Sequence, residues 1–163
     1  MSRTHYCGQV TASALGETVH LAGWVHRRRD HGGVIFIDLR DREGVVQVVV
    51  SPKDELAFKE AESIRHEFVI HVLGTVRKRP EGTVNADLQT GEVEVAVSAL
   101  QILNRSEPLP FPIDDEHHAV GEEIRLHYRY LDIRRPHMLS HLIFRAKVVQ
   151  YLRQYLDTQG FIE

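Results

Sequence analysis

The strongest constraint in this 163-residue sequence is the order of its runs. Three β-branched runs come first: "TVHLAGWVHRRR", "VIFIDLR" and "VVQVVV". A stretch of helical composition follows, "PKDELAFKEAESIR". Two more β runs come next, "EFVIHVLGTVRKR" and "EVEVAVSALQILN". The runs are rich in Val and Ile, with turn residues between them, and strand side chains alternate faces. Short turn signals separate the early runs. Gly32-Gly33 reads as the turn between the first two, and "DREG" as the hairpin joining the second to the third. Gly23, in the middle of the first run, marks a bend or bulge. A short helix is expected near "VTASALG", ahead of the first strand.

Three strands, a helix and two strands is the order of an OB-fold, a five-stranded Greek-key barrel. Other α+β arrangements fit the same string. In this reading the fold is mainly β, with the helix between strands three and four capping the barrel floor. The composition then changes. Residues 105 to 123, "RSEPLPFPIDDEHHAVGEE", hold three prolines within five positions and then a run of acids and histidines. Proline removes a backbone donor and disfavours helix in the residue before it. The expected organisation is a β domain over 1–104, a linker over 105–124 and a helical segment over 125–163. The helical pattern is clearest from Ser140 to Thr158.

Alternation assigns faces. Ile35, Ile37 and Leu39 share the core face of strand two, so Phe36 points outward with Asp38 and Arg40. Gln47 opposes Val46, Val48 and Val50 on strand three. Glu94 opposes Val93, Val95 and Val97 on strand five and is expected to point out. Arg27 and Arg29 share one face of strand one, and Arg28 opposes them. An outer face with an aromatic, an amide, a carboxylate and guanidiniums suits single-stranded nucleic acid. Bases stack on the aromatic, arginines track phosphates, and Gln or Glu reads base edges. A lone exposed Phe and a solvated arginine run are also ordinary surface features. The two readings separate on convergence, because Phe36 and Gln47 fall on adjacent strands of the usual OB binding face.

Bulk charge does not decide the matter. The formal net charge is −3, with local basic clusters at Arg27-Arg28-Arg29 and Arg77-Lys78-Arg79. The single cysteine, Cys7, cannot form an intrachain disulfide and fits a reducing compartment. No apolar run approaches a membrane span, and the first residues lack the apolar core of a signal peptide. The chain therefore reads as cytoplasmic. Eleven histidines raise the question of a metal. His117-His118 are adjacent, which suits one ion poorly. His137 and His141 are four apart with no third ligand evident, so no metal site is expected. No glycine-rich phosphate loop is present.

Several segments together carry a resemblance. "YCGQV", "GWVHRRRDHGGVIFIDLRDREGVVQVV", "GEVEV" and "LHYRYLDIRRP" resemble, in order and spacing, the N-terminal part of bacterial aspartyl-tRNA synthetases, which belong to class IIb. Ile133 stands where leucine is commoner. The resemblance implies an OB domain that reads the tRNA anticodon. Phe36 would stack on the central uridine and Gln47 would hydrogen-bond the same base. Arg29 would contact base edges, Arg27 would support the anticodon, and Glu94 would recognise the first base, a guanosine. The full-length enzyme would use ATP and Mg²⁺ to attach aspartate to tRNA(Asp), acting as a homodimer. The catalytic arginines of such an enzyme, one of them in an "FRDE" segment, are not in this chain. No catalytic residue is therefore expected here, and the last residues read as the truncated opening of the catalytic domain.

Some members of that family also charge tRNA(Asn), whose anticodon differs at the third base. They tend to carry histidine after "RRRD" and a small residue in the loop after strand four. This sequence has His31 and Gly82 there, which implies relaxed discrimination. The competing readings are a free-standing OB module for single-stranded nucleic acid and a protein-interaction barrel.

Overall fold

The computed structural model describes residues 2–114 and 119–162. His117 and His118 lie outside them, as does part of the expected linker. The chain divides into two compact units, Met1–Pro108 and Leu109–Glu163.

The first unit contains β1 (Thr18–His31), β2 (Val34–Arg40), β3 (Val45–Val50), α1 (Glu55–Glu62), β4 (Val69–Lys78) and β5 (Val93–Asn104). The strands pair in the circuit β1-β2-β3-β5-β4, and β1 also pairs with β4. All pairings are antiparallel except the narrow seam between β3 and β5, where Val48 pairs with Val95 and Val49 with Ala96. The expected order of three strands, a helix and two strands holds.

The period-two pattern explains the core. Ile35, Ile37 and Leu39 are fully buried, as are Val46, Val48, Val50, Val93 and Val95. Ala57 and Ala61 of α1 join them, and the α1 residues after Asp54 form only two turns. The helix is thus shorter than the helical composition suggests. Arg28, on the face opposite Arg27 and Arg29, donates from Nε to the Ala61 carbonyl at 3.1 Å. One member of the arginine run therefore fastens α1 to β1.

Two local expectations change. The bulge in β1 lies between Val25 and Arg27, not at Gly23. A Cβ on Gly23 would stand 2.4 Å from the Arg40 carbonyl oxygen, so glycine is required there by close approach of β2. The helix expected near "VTASALG" is a single 3₁₀ turn, Ala12–Ala14. Gly32 and Gly33, at φ 60° and 76°, form the tight turn between β1 and β2. Positive φ at both central positions matches the twist of the flanking strands.

The second unit holds α2 (Glu122–His127), α3 (Arg129–Asp132) and α4 (Pro136–Thr158). Pro136 opens α4 at a position where a missing N–H costs nothing. Phe111 and Ile113, from the proline-rich segment, pack with Leu131, Val120 and Tyr128. The break between units therefore falls inside the expected linker, and its second half belongs to the helical unit. Asp132 is fully buried. It accepts from Arg125 Nε at 3.0 Å and from Arg129 Nη1 at 2.6 Å, with Arg135 at 3.9 Å. Burial alone would raise the Asp132 carboxyl. The hydrogen bond and charge of Arg125, with Arg129 and Arg135, hold it below the usual carboxylate range.

Candidate nucleic-acid interface

The outer face of the barrel carries one polar row that crosses the strands. Arg27 of β1 lies opposite Asp38 of β2, and Asp38 lies opposite Gln47 of β3. Gln47 is one residue before Val48, and Glu94 one before Val95, so the β3–β5 seam sets Gln47 beside Glu94. Glu94 lies opposite Arg77 of β4. Phe36 sits one step along, between Arg29 of β1 and Val49 of β3.

Hydrogen bonds run along this row. Arg29 Nη2 donates to Asp38 Oδ1 at 2.6 Å and to Gln47 Oε1 at 3.4 Å. Gln47 Nε2 donates to Glu94 Oε2 at 2.9 Å. Arg77 donates to Glu94 Oε1 from Nε at 2.9 Å, and its Nη2 stands 2.8 Å from the same oxygen as the ion-pair contact. Glu94 is consequently 2% exposed. It lies on the outer face, as alternation predicts, but it is covered rather than open. Gln47 and Arg77 lie over it, and neither contact follows from the local pattern of β5. Phe36 is half-buried, with Val49 packed at its flank.

A concavity of about 570 Å³ opens on this face. Arg29, Phe36, Gln47 and Glu94 line it, and so does His31, the last residue of β1. The segment after β4 supplies Arg79, Thr83 and Asn85 to its wall. Arg27 is exposed but does not line the concavity. Gly82 does not line it either, although its neighbour Thr83 does. A Cβ on Gly82 would meet nothing within 4 Å, and its φ of 79° is the left-handed conformation glycine adopts most easily.

Arg79 is the residue most easily overlooked in the sequence. It belongs to a visible basic cluster, yet lies just beyond the end of β4, where alternation no longer assigns a face. Its Nε donates to the Val93 carbonyl at 3.0 Å and its Nη1 to the Thr83 carbonyl at 3.5 Å. Nη2 is buried without a partner. Burial lowers its pKa, opposed by the charges of Glu94 and Asp38 and reinforced by Arg29. The guanidinium is held in place by two backbone carbonyls at the concavity wall. Among the described residues, no three His, Cys, Asp or Glu side chains converge as metal ligands. No helix among the described residues is long and apolar enough to cross a membrane.

The chain can now be compared with known proteins. Residues 19–103 match the OB-fold nucleic acid binding domain, and residues 121–163 match the class II tRNA synthetases (D, K and N). The first match covers over half of the sequence, and the chain belongs to the OB-fold nucleic acid binding family. Over 162 residues it is 57% identical to an aspartate–tRNA(Asp/Asn) ligase of Geotalea uraniireducens (strain Rf4). That similarity covers 99% of this chain and 27% of the relative. Among solved structures, the asparaginyl-tRNA synthetase of Pyrococcus horikoshii complexed with asparaginyl-adenylate superposes with a TM-score of 0.82 at 29% identity. It matches 99% of this chain and 36% of that one. An OBody bound to hen egg-white lysozyme matches 65% of this chain and 97% of its own, with 30% identity and a TM-score of 0.56.

Proposed function

We propose that this chain is the anticodon-reading part of an aspartate–tRNA ligase, with the concavity on β1, β2, β3 and β5 as its reading site. The observation that carries the proposal is the convergence of a half-buried aromatic, an amide, a carboxylate and fixed guanidiniums in one concavity. Phe36 stacks the central base, and Gln47 and Arg29 hydrogen-bond its edge. Glu94 accepts from the first base, and Arg27 supports the backbone from outside the concavity. Arg79 adds a donor that the face assignment omits. The 57% identity to an aspartate–tRNA(Asp/Asn) ligase supports the amino-acid assignment.

The organisation that accompanies this reading is an anticodon domain over 1–104, a hinge within the proline-rich segment that follows, and the opening of a catalytic domain that includes 125–163. Aspartate activation with ATP and Mg²⁺ belongs to the rest of such an enzyme, as does completion of a homodimer.

The site also bears on tRNA choice. His31 lines the same concavity as Phe36 and Gln47, and the loop carrying Gly82 forms its wall through Thr83. Discrimination requires a contact that penalises the wrong base. An imidazole can hydrogen-bond either pyrimidine, and a glycine reaches neither. The proposal is that the full-length enzyme charges tRNA(Asn) as well as tRNA(Asp), and the name of the Geotalea relative agrees with it.

The test is binding of an anticodon stem-loop carrying G-U-C. Loss of stacking in Phe36→Ala should cost about 1–3 kcal/mol, roughly a five- to hundredfold loss of affinity. Unchanged affinity would refute stacking on Phe36. A chain that binds no RNA would favour the protein-interaction reading.

A further inference from the structure

The proposed readers are already engaged with one another. Two donors converge on one acceptor: Gln47 donates to Glu94 and Arg77 donates to it from the other side, while Arg29 bridges Asp38 and the Gln47 side-chain carbonyl oxygen. Glu94 is thus gripped from two strands that are distant in sequence. Gln47 of β3 holds Oε2, and Arg77 of β4 holds Oε1 through two guanidinium nitrogens. A carboxylate this deeply buried is costly unless paired and hydrogen-bonded. Arg77 supplies the countercharge, while its own side chain stays 54% exposed at the concavity wall.

From this arrangement we infer that Arg77 is a positioning residue for base selection: it fixes the Glu94 carboxylate as a rigid acceptor that selects a base presenting two adjacent donors. The inference rests on the anticodon reading above and extends it. An ionised carboxylate accepts and cannot donate. Held at both oxygens, it cannot turn to suit a different edge. Guanine presents an N1–H and a 2-amino group side by side, and inosine lacks the 2-amino group. Arg77 therefore acts through Glu94 on the choice of base, and contributes little to phosphate binding.

The experiment uses the 163-residue chain and two anticodon stem-loops that differ only at the first base, guanosine or inosine. The unsubstituted chain should prefer guanosine about tenfold, the worth of one hydrogen bond to a charged group. In Arg77→Met that preference should fall to about twofold or less, through loss on the guanosine hairpin. Affinity for the inosine hairpin should stay within about threefold, and the Phe36→Ala penalty should persist. Arg77→Lys keeps the charge without the fork and should lie between the two. Glu94→Gln should lose the preference as Arg77→Met does.

The inference is overturned if Arg77→Met weakens both hairpins equally and lowers the salt slope by about one, the mark of a phosphate contact. It is also overturned if both Arg77 variants keep the full guanosine preference. Failure of the underlying reading looks different: Phe36→Ala would then leave the unsubstituted chain's affinity unchanged. Thermal melts of each variant confirm folding, and Arg77→Lys serves if Arg77→Met melts early.

Discussion

The two units of this chain bury their apolar residues very differently. In the five-stranded unit, β1, β2, β3 and β5 place alternate side chains into one continuous core, and Ile35, Ile37 and Leu39 have no exposed surface. In the helical unit, the 23-residue helix α4 buries none of its residues. Phe144, Tyr151, Leu152 and Tyr155 are 58–78% exposed along it. α4 mixes these apolar side chains with Arg145, Lys147, Arg153 and Asp157, and the apolar ones have no covering element among the described residues. The difference shows where stability resides: the barrel carries its own core, while α4 is formed mainly by its own backbone hydrogen bonds.

Three expected outcomes probe that contrast. The largest effect belongs to the barrel centre. Ile37→Ala should lower stability by about 2–5 kcal/mol through lost burial and a residual cavity. Urea melts should show a loss of strand signal at lower denaturant, with the helical signal of α4 little altered. A loss below about 1 kcal/mol would mean the barrel core is looser than its burial implies.

A smaller effect concerns pH and again belongs to the barrel. His71 lies on β4 with its ring 5.5 Å from that of His20, and its Nε2 is buried without a partner. Burial, then the neighbouring His20, lowers its pKa below the usual histidine value of 6.5. The unfolded chain therefore binds this proton more readily than the folded one. The contribution is fully present above pH 6.5 and is lost as pH falls through the lower folded value. The urea midpoint should drop between pH 7 and pH 5.5, and His71→Gln should flatten part of that drop. An equal drop in the variant would assign the pH dependence to other groups.

The smallest effect is expected where apolar surface is greatest. Leu152 is 58% exposed, so Leu152→Glu should change the stability of this chain by less than about 0.5 kcal/mol. A larger loss in a urea melt would show that α4 is covered in solution, and concentration dependence of that loss would identify a second copy.

The barrel was legible in the sequence because its information is local. A pleated strand turns successive side chains to opposite faces, so Ile35-Phe36-Ile37 announces both a core and an outward aromatic. Gly23 shows the limit of local information. A mid-strand glycine signals a bulge from one strand alone, whereas its cause is the Arg40 carbonyl on another. Glu94 was placed on the correct face but not in its true environment, since its cover comes from β3 and β4. Arg79 was visible as charge but not as a site residue, because its position depends on the path of the chain after β4.

The sequence by itself determined the order of elements along the chain, the core and outer faces of β2, the tight glycine turn and the chemistry available for reading a base. Those properties depend on neighbouring backbone units and on side-chain type. Only the tertiary structure decided that Gln47 and Glu94, 47 positions apart, share a hydrogen bond and that Arg77 holds the other oxygen. That row exists because the parallel seam between β3 and β5 completes the barrel. Which residues meet across a seam is set by the register of the whole circuit, which no single run of residues contains.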